Sequence, residues 1–324
     1  MTGSPSATRP GHPPLDAAAA DAAVGAALPP SVRAWDPGQA ILYHLGVGAG
    51  HEAPGPGALR RVYERDLEVL PGFAATVAHR TGTAIDEIPG LAVQRRFAVH
   101  AEQEIVLHGP IPPAARARTT GRVVEIADTG RNALVRIATE TLVDGAPCFS
   151  CRFGIVLRGA GGFGAPPPAP WPDTAPPVPS RPGPGAARAA VGTGRPPDAR
   201  LGTVVSPRQA LLYRLLGDRN PLHVDPEHAR SVGFDGPIVH GISTFGTALR
   251  VLVDDALDGN ADRVRAVRAR FSGVVLPGDQ LDVEVWWTPT GGLLEVVAPA
   301  RAALVMTATV ELREPRQGLA VDPT

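Results

Sequence analysis

The sequence predicts an α+β fold made of two similar halves, each with an antiparallel sheet wrapped round one central helix. Three observations lead to this fold class. A segment rich in proline and glycine, residues 159–200, divides the chain of 324 residues into two parts of domain size. A short motif recurs in both parts, and several stretches of each part alternate between apolar and polar residues as strands do.

The expected domain boundaries follow from composition. Residues 1–30 are predicted to form a disordered tail, within which residues 17–28 are at most a loosely helical arm because Asp21 interrupts their apolar run. A proline-rich segment cannot bury enough apolar surface to build a core, so residues 159–200 are predicted to be an extended linker. The first half, the second half and a closing tail then occupy residues 31–158, 201–313 and 314–324.

The repeated motif predicts a short helix in each half. The run from Asp36 to Gly46 matches the run from Ser206 to Leu216, with Pro, Gln, Ala, Leu and Tyr at the same spacing. Pro37 in the first run suits the first turn of a helix, and so does its counterpart in the second. An internal duplication is the simplest account of this match.

One long helix and several strands complete the prediction. Gly236-Pro237 precedes an apolar helix from Ile238 to about Leu257, whose large residues recur at helical spacing. The corresponding region of the first half, Tyr63–His79, gives a weaker helical pattern. Alternation predicts strands at Val123–Thr141, Cys148–Leu157, Leu281–Trp287, Gly292–Val297 and Ala303–Glu311.

The composition excludes several classes of function. The net charge is −1, so there is no electrostatic case for a nucleic-acid partner or an anionic membrane. The chain has no lysine, which excludes a lysine Schiff base, a pyridoxal-phosphate lysine and a P-loop lysine. Two cysteines build no disulfide framework, and no apolar run reaches transmembrane length. We therefore expect a soluble protein of the cytoplasm.

The turn from Gly217 to Pro226 carries the strongest chemical signal. Asp218 and His223 lie five residues apart, and Pro221 stiffens the backbone between them. A carboxylate and a neutral imidazole together can hold one water molecule and move its protons, which is general acid–base chemistry. The structural alternative is that Asp218 caps the turn and His223 packs in a polar network.

His240-Gly241 stands where the long helix is expected to begin. A helix N-terminus offers N–H groups without intrahelical partners, and Gly241 lets a substrate approach that backbone closely. Such an N–H can bind a carbonyl oxygen as negative charge builds on it. The alternative is that His240 only caps the helix and Gly241 only packs, and Ser243 lies on the helix surface or in a pocket.

Two further patterns suggest ligands. His223, Asp225 and His240 imitate a two-histidine, one-carboxylate iron site, but the surrounding pattern is not that of a jelly roll with a distant histidine, so no metal is expected. The glycine-rich run Gly159–Gly164 follows a strand and then enters prolines where a nucleotide-binding motif would enter a helix.

The second half resembles the hydratase 2 motif of MaoC-like (R)-specific enoyl-CoA hydratases. The positions that carry the resemblance are Tyr213, Gly217-Asp218-x-Asn220-Pro221-Leu222-His223-x-Asp225-Pro226, Gly233-Phe234, Pro237-Ile238 and His240-Gly241. The first half is similar to the larger, double-hotdog members of that family through Tyr43-x-x-Gly46-Val47-Gly48, Tyr63-Glu64, His100-Ala101-Glu102-Gln103 and Arg158-Gly159-x-Gly161-Gly162-Phe163-Gly164. The similarity extends over residues 31–313, in a tandem hotdog fold.

The resemblance implies the roles of individual residues. Enzymes of this family add water to trans-2-enoyl-CoA and give (3R)-hydroxyacyl-CoA. Asp218 and His223 are the implied catalytic pair, and the implied supporting residues are Asn220, Tyr213, Asp225, His240 and Glu64. The implied oxyanion-hole and substrate-binding residues are Gly241, Ser243, His100 and Glu102. The implied partner is an acyl-CoA substrate, with no cofactor or metal, and the double unit is expected to form a homodimer.

The first half departs from the family pattern at three positions. Gly72 stands in place of a usual threonine, Ala101 in place of a usual glycine and Glu104 in place of a usual aromatic residue. Only the second half keeps the Asp/His turn, so the first half is expected to be non-catalytic and to accommodate the acyl chain, with room for a bulky one. Two alternatives stay open: a dehydratase acting on acyl-carrier-protein or polyketide-type intermediates, and a non-catalytic acyl-CoA-binding subunit.

Overall fold

Ten antiparallel strands form one continuous sheet in the computed structural model, which describes residues 11–51, 56–169 and 195–314. The strands of the first half are β1 to β5, in the order Ala27–Trp35, Ala98–Leu107, Ala115–Asp128, Ala133–Val143 and Ala146–Leu157. Those of the second half are β6 to β10, in the order Ala199–Val204, Val264–Phe271, Gln280–Thr288, Gly291–Ala298 and Ala303–Leu312.

The two halves have the same strand topology. Across the sheet the order is β1-β3-β4-β5-β2-β7-β10-β9-β8-β6. Counted from the outer edge to the centre, the first half has the order β1-β3-β4-β5-β2 and the second half has the order β6-β8-β9-β10-β7. In both halves this is the first, third, fourth, fifth and second strand along the chain. The second strands, β2 and β7, pair with each other at the centre, from Glu102 opposite Arg270 to Val106 opposite Ala266. The identical order confirms the predicted tandem of two antiparallel sheets and accounts for the sequence repeat.

Each half wraps its sheet round one helix. The helices α1 to α7 are Ala17–Ala23, Pro37–Gly46, Pro56–Val62, Phe73–Gly82, Gln209–Tyr213, Pro226–Ser231 and Gly241–Ala256. The central helix of the second half, α7, has 16 residues and buries the apolar stripe that the sequence predicts. The first half contains a shorter central helix, α4, of 10 residues. It begins after Pro71 and ends at Gly82, so the helical pattern expected over Tyr63–His79 is shifted towards the C-terminus. No helix in the described ranges is both long and apolar enough to cross a membrane.

Glycines allow the helices near the centre of the molecule to pack closely. A Cβ on Gly246 of α7 would lie 2.6 Å from both the hydroxyl oxygen of Tyr43 and a methyl carbon of Val47 on the first half. A Cβ on Gly72, at the start of α4, would also collide with the Tyr43 hydroxyl. The glycine that replaces the usual threonine at position 72 therefore makes room for Tyr43. That hydroxyl is buried and has no hydrogen-bond partner among the described residues.

The N-terminal segment is folded from residue 11 onward, so the prediction of a disordered tail through residue 30 is wrong for residues 11–30. Asp16 caps α1, because its Oδ1 accepts a hydrogen bond of 2.8 Å from the N–H of Ala19. Ala20 and Ala23 are buried in an apolar cluster of the first half, and β1 follows at once and pairs with β3. The cap and this burial offset the entropy lost on ordering the segment. Residues 1–10 lie outside the described residues.

The predicted linker is folded at both ends. Asp128 accepts hydrogen bonds from the N–H groups of Gly130, Gly162 and Gly164, at 2.7, 3.1 and 2.9 Å. The glycine-rich run therefore closes onto a carboxylate of β3, which agrees with the argument against nucleotide binding. At the other end, β6 already begins at Ala199. The remaining part of the predicted linker, residues 170–194, and the closing tail after residue 314 lie outside the described residues.

A buried carboxylate joins the two halves at the centre of the sheet. Glu104 of β2 is 5% exposed and lies directly opposite Arg268 of β7. The two side chains form an ion pair of 2.5 Å, and Arg152 of the neighbouring β5 lies 3.5 Å from the other carboxylate oxygen. The acid that replaces the usual aromatic residue at position 104 therefore supplies a charge that bridges the junction between the halves.

Candidate active site

A stiff turn between α5 and α6 holds Asp218 and His223. The turn begins at Gly217, whose φ of 139° is a conformation that side chains rarely tolerate. The Oδ1 of Asp218 accepts a hydrogen bond of 3.2 Å from the N–H of Asn220. The Asn220 side chain in turn caps the 3₁₀ turn Pro221–His223 by accepting a backbone hydrogen bond of 3.0 Å. Asn220 thus fixes the backbone between the two catalytic candidates, as the turn chemistry predicts.

The imidazole of His223 is oriented by one backbone hydrogen bond. Its Nδ1 lies 2.8 Å from the carbonyl oxygen of Ile238, so Nδ1–H donates and Nε2 keeps its lone pair. Burial lowers the pKa of His223 below its ordinary value, against the opposing effects of the Ile238 carbonyl and of Asp218. A neutral ring with a free Nε2 can accept a hydrogen bond or a proton from water.

His240 is the N-cap residue of α7 and stacks on His223. The ring centroids are 3.6 Å apart and the planes differ by 26°. The Nε2–H of His240 donates to the backbone carbonyl of Asp218 at 3.1 Å, and its buried Nδ1 has no partner among the described residues. Burial, together with the neighbouring ring of His223, lowers the pKa of His240 to about 3. Both stacked rings are therefore neutral near neutral pH.

A small pocket beside Asp218 is built from both halves of the chain. The second half contributes the side chains of Tyr213, Leu216, Asp218 and Ile242, and α4 of the first half contributes Thr76 and His79. The hydroxyls of Tyr213 and Thr76 are 3.1 Å apart and share a hydrogen bond across the pocket wall. The Tyr213 ring also lies 5.1 Å from the ring of His240. Of the predicted residues, Tyr213 and Asp218 therefore line this pocket, and ring nitrogens of His223 and His240 lie within 4.8 Å of the Asp218 carboxylate.

The carboxylate of Asp218 is stabilised in its ionised form. Burial alone would raise the pKa of Asp218, but the imidazoles of His79, His240 and His223 and the N–H of Asn220 outweigh burial. The net result is a pKa below the ordinary value of an aspartate. At neutral pH the site therefore combines a charged carboxylate with neutral imidazoles.

Gly241 is the first residue of α7, at the positive end of the helix dipole. Its N–H has no hydrogen-bond partner within the described ranges, as expected in a first helical turn. The atoms nearest to a Cβ on Gly241 would be those of the Phe271 ring, at the ordinary contact distance of 3.7 Å. The position therefore offers an unpaired donor without a close contact, which is what an oxyanion hole requires.

Three other predicted residues serve the surrounding structure or lie apart from the pocket. Ser243 is buried, and its hydroxyl donates to the carbonyl of Gly46 and accepts from the side chain of Gln209, both at 3.1 Å. The carboxylate of Asp225 caps α6 by accepting two backbone hydrogen bonds of 2.8 and 3.1 Å. Glu64 is exposed in the turn that follows α3 and is not part of the pocket lining.

The predicted pair on β2 separates onto two faces of the sheet. The ring of His100 packs between those of Phe153 and Phe271, at 5.6 and 5.4 Å, on the side of the candidate site. Burial and the neighbouring His79 lower the pKa of His100 to about 4. Its Nε2 lies 3.0 Å from the backbone oxygen of Glu102.

Glu102 itself points into the junction between the halves. Its carboxylate pairs with Arg136 of β4 at 2.8 Å and with Arg270 of β7 at 2.9 Å. A register shift in the pairing of β2 with β5 lies between His100 and Glu102, and after it Gln103 and Glu102 alternate across the sheet. The observed partners of Glu102 are these arginines, and Glu102 does not line the pocket beside Asp218.

The residue-by-residue reasoning missed the contribution of α4. Thr76 and His79 are spaced three apart in the helical segment, so they share one helix face. That spacing was the available signal. The helical pattern of this region is weak, and α7, its counterpart in the second half, contains no histidine.

The metal alternative can be compared with the geometry. The expected set contained Asp225, but that carboxylate caps α6. The group that comes together contains Asp218 in its place, because ligand atoms of Asp218, His223 and His240 lie within 4.8 Å of one another. Imidazole lone pairs lie in the ring planes, and two rings stacked at 3.6 Å direct them side by side. Shared coordination requires both lone pairs to converge on one point about 2 Å from each nitrogen. The stacked arrangement suits two neutral rings better than a chelate.

Known protein families match both halves of the chain. A model described as MFE-2 hydratase 2 N-terminal domain matches residues 34–159, and one described as MaoC like domain matches residues 189–296. The enoyl-CoA hydratase ChsH3 of Mycobacterium tuberculosis is 37% identical over 295 residues, which cover 90% of this chain and 97% of that protein. The chain belongs to the MaoC-like hydratase 2 family. Membership in this family makes it a hydro-lyase.

Solved structures agree with this family and its fold. The full-length peroxisomal multifunctional enzyme type 2 of Drosophila melanogaster matches with a TM-score of 0.74 and 28% identity over 89% of this chain. The match spans about half, 48%, of that longer protein. A conserved hypothetical protein of Mycobacterium tuberculosis, described as having a double hotdog fold, matches with a TM-score of 0.53 and 17% identity, over 89% of this chain and 96% of that one. The predicted tandem hotdog fold of this hydratase 2 family member is confirmed.

Proposed function

We propose that this hydratase 2 family member catalyses the syn addition of water to trans-2-enoyl-CoA, giving (3R)-hydroxyacyl-CoA, and the reverse dehydration. The observation that carries the proposal is the meeting of an ionised Asp218 with the neutral imidazole of His223, whose Nε2 is free to accept a hydrogen bond. The name of the relative ChsH3, an enoyl-CoA hydratase, supports the substrate class.

In the proposed step, one water molecule lies between Asp218 and Nε2 of His223. His223 accepts a hydrogen bond from one hydrogen of the water, and Asp218 takes the other proton as the oxygen attacks the β-carbon. The C–O bond forms while the π bond between the α- and β-carbons breaks, and its electron pair moves towards the thioester oxygen. Asp218 then returns its proton to the α-carbon from the same face. One hydrogen and one hydroxyl have been added, and the carboxylate is regenerated.

The thioester oxygen carries the negative charge that develops during this step. We assign its stabilisation to the N–H of Gly241, which is unpaired and lies at the positive end of α7. Because Gly241 has no side chain, the thioester can approach this part of the backbone closely. Tyr213 supports the same pocket, because burial raises its pKa and keeps its hydroxyl protonated in the hydrogen bond with Thr76.

The central test removes the two catalytic groups separately. Asp218→Asn removes the proton acceptor with almost no change of shape, and His223→Ala removes the imidazole. We expect each variant to lose at least about a hundredfold in the rate of crotonyl-CoA hydration, because each group acts in proton transfer. Asp21→Asn on the exposed face of α1 and His108→Gln at the exposed end of β2 are matched controls that keep full activity.

The assay follows the loss of the conjugated enoyl thioester, and the circular dichroism spectrum reports on folding. Retention of near wild-type rates by folded Asp218→Asn and His223→Ala proteins would rule the mechanism out. The configuration of the product separates hydration on the proposed face, which gives the (3R) alcohol, from hydration on the opposite face.

The acyl chain is proposed to extend towards the first half. The central helix of that half, α4, has 10 residues, whereas α7 has 16. The shorter helix blocks less of the path that an acyl chain would take from the pocket into the first half. A complex with a medium- or long-chain acyl-CoA tests this orientation, and a chain lying wholly outside the first half contradicts it. Rates with enoyl-CoA of increasing length also measure the preference directly.

The thioester carrier is the main competing possibility. A dehydratase of acyl-carrier-protein or polyketide-type intermediates would use the same catalytic pair on a protein-bound substrate. Parallel assays with the CoA and carrier-protein thioesters of one acyl group distinguish the two, and we expect the CoA ester to be preferred. A non-catalytic acyl-CoA-binding subunit would show no hydration in either assay.

We further propose that the protein forms a homodimer and acts in the cytoplasm without a cofactor. The location needs its own test, because the matched Drosophila protein is named as peroxisomal. Sedimentation of the purified chain measures its mass in solution, and fractionation of the source cells measures its location. Dialysis against a chelator should leave the hydration rate unchanged if no metal takes part.

A further inference from the structure

His79 brings an imidazole from the first half into the pocket of Asp218. It lies in the last turns of α4 and lines the pocket together with Thr76, one helical turn earlier. The backbone of Thr76 is held by Arg33 of β1, whose guanidinium donates to the Thr76 carbonyl at 2.6 Å. The position of α4 beside the site is therefore fixed by the first sheet. The His79 ring has no hydrogen bond to any residue in the described part of the chain.

His79 is half-buried, and its ring offers one donor and one acceptor towards the pocket. Native structures pair most such polar groups with protein atoms or water. On α4, Ala78 before His79 is buried in the core of the first half, whereas Arg80 after it is exposed and forms an ion pair with Glu87. The ring faces a pocket whose only charged lining residue is Asp218. Its partner is therefore either that carboxylate, or a water molecule or substrate atom bound beside it.

We propose that His79 is a positioning residue for Asp218, reaching the carboxylate across the pocket either directly or through one bound water. The proposal rests on the proposed role of Asp218 as the group that moves the proton. Two groups then orient the carboxylate of Asp218. The N–H of Asn220, from the same turn, donates a hydrogen bond of 3.2 Å, and the imidazole of His79 lies across the pocket on the other half. The active site is in this sense completed by the half that lacks the Asp/His turn.

The charges around the pair support this arrangement. Burial lowers the pKa of His79, and so do Arg95 and Arg33, while Asp218 raises it. The ring is therefore neutral near neutral pH, with one nitrogen that donates and one that accepts. In the acid range, where Asp218 titrates, the protonated ring favours the ionised carboxylate. Among the groups that act on Asp218, His79 has the largest electrostatic effect, ahead of the stacked rings of the second half.

The charged and titratable groups that face this pair come from several elements. His79 lies on α4, Asp218 and His223 on the turn, and His240 at the start of α7. The other groups that act on them electrostatically are Arg33 of β1, Arg95, His100 of β2 and Tyr213 of α5. Removal of His79 leaves all of these in place, so a change in the titration of Asp218 after that substitution is attributable to the loss of one imidazole.

The test compares His79→Ala, which removes the ring, with His79→Gln, which keeps a side chain that donates and accepts but has no charged form. For His79→Ala we expect kcat for crotonyl-CoA to fall about tenfold or more, with little change in KM, because a hydrogen bond to a charged group is lost. We also expect the acid limb of kcat/KM to move to higher pH, since Asp218 loses its strongest electrostatic partner. His79→Gln should recover most of kcat but keep the displaced acid limb.

The controls separate this proposal from the general mechanism. His108→Gln, at the exposed end of β2, should change neither kcat nor the pH profile. If His79→Ala keeps the wild-type kcat and acid limb while Asp218→Asn is inactive, the positioning role of His79 is wrong and the catalytic role of Asp218 stands. If Asp218→Asn is also active, both fail. If His79→Ala does not fold, the acid limbs of His79→Gln and His79→Asn decide the question, and a wild-type limb in both overturns the proposal.

Discussion

The rings of His223 and His240 stack with their centroids 3.6 Å apart, and each ring donates one hydrogen bond to a backbone carbonyl. His223 donates to Ile238 and His240 donates to Asp218. These two bonds fix opposite tautomers, with the free lone pair on Nε2 in one ring and on Nδ1 in the other. Two protonated rings at this distance would repel each other, so the stack favours the neutral state in which His223 can act on water.

The stability of the fold is expected to decrease in mild acid. The pKa values of His44 and His100 are lowered to about 4 and that of His240 to about 3, in each case chiefly by burial. In the unfolded chain these residues titrate near about pH 6.5, so below that pH the unfolded state binds more protons than the folded state. The stabilising contribution is therefore complete above the unfolded pKa and declines as the pH falls.

Each of these histidines is expected to remove about 1.4 kcal/mol from the free energy of unfolding per pH unit below about 6.5. Urea unfolding at about pH 7.5 and about pH 5.5 measures the difference. A free energy of unfolding that stays constant across this range would contradict the buried, neutral state of the three rings.

Gly241→Ala should separate activity from stability. The atoms nearest to the added methyl are those of the Phe271 ring, at the ordinary contact distance of 3.7 Å, so the melting temperature should change little. The methyl lies next to the N–H that we assign to the thioester oxygen, and we expect kcat/KM for crotonyl-CoA to fall by roughly tenfold to a hundredfold. An unchanged rate in the folded variant would place the oxyanion hole elsewhere.

Gly72→Ala tests the close approach of Tyr43 to the start of α4. The new methyl collides with the Tyr43 hydroxyl, so we expect the variant to lose about 1–3 kcal/mol of unfolding free energy. Tyr43→Phe removes that hydroxyl, which is buried without a partner among the described residues, and should cost little by itself.

The double variant Gly72→Ala/Tyr43→Phe should recover most of the loss, and urea unfolding of all four proteins in the cycle measures the coupling. Gly202→Ala on β6, where a Cβ meets nothing within 4 Å, is the control for adding a methyl. Strictly additive effects would show that the two positions do not clash.

Glu104→Gln tests the ion pair at the junction of the halves. The substitution leaves Arg268 beside a neutral partner in a setting where the acid is 5% exposed. We expect a loss of about 3 kcal/mol, because the neutral amide no longer provides the attraction that offsets the cost of burying the charges of this pair. The matched control is Glu311→Gln, whose pair with Arg265 also has an N–O distance of 2.5 Å but is largely solvent-exposed, and it should cost less than about 1 kcal/mol. Equal losses in the two variants would contradict the assigned role of the junction pair.

The sequence predicted the parts of the molecule that local chemistry specifies. A few neighbouring residues are enough to specify the helix start at Pro37, the turn at Asn220, the helix start at Gly241 and the alternation of the strands. All of these features are present in the structure. Asp218 and His223 could be paired from sequence because a stiff turn of six residues holds both.

The remainder depends on contacts between distant segments. Nothing near residue 17 indicates that α1 will pack on the first sheet, and its alanines resemble those of a disordered arm. Glu102 was expected near the substrate, yet its partners are arginines 34 and 168 positions away along the chain. His79 enters the pocket only because α4 crosses beside the turn of the other half, which no local pattern encodes.

Tyr43 and Tyr213 occupy equivalent positions of the repeat, and their rings meet with centroids 6.2 Å apart. In a dimer of identical subunits, residues on a two-fold axis face their own copies, and every substitution there occurs twice. A fused pair of repeats is free of that constraint. One tyrosine can keep an unpaired hydroxyl against Gly72 while the other shares a hydrogen bond with Thr76 in the pocket. Covalent fusion thus allows the two sides of the same interface to evolve independently.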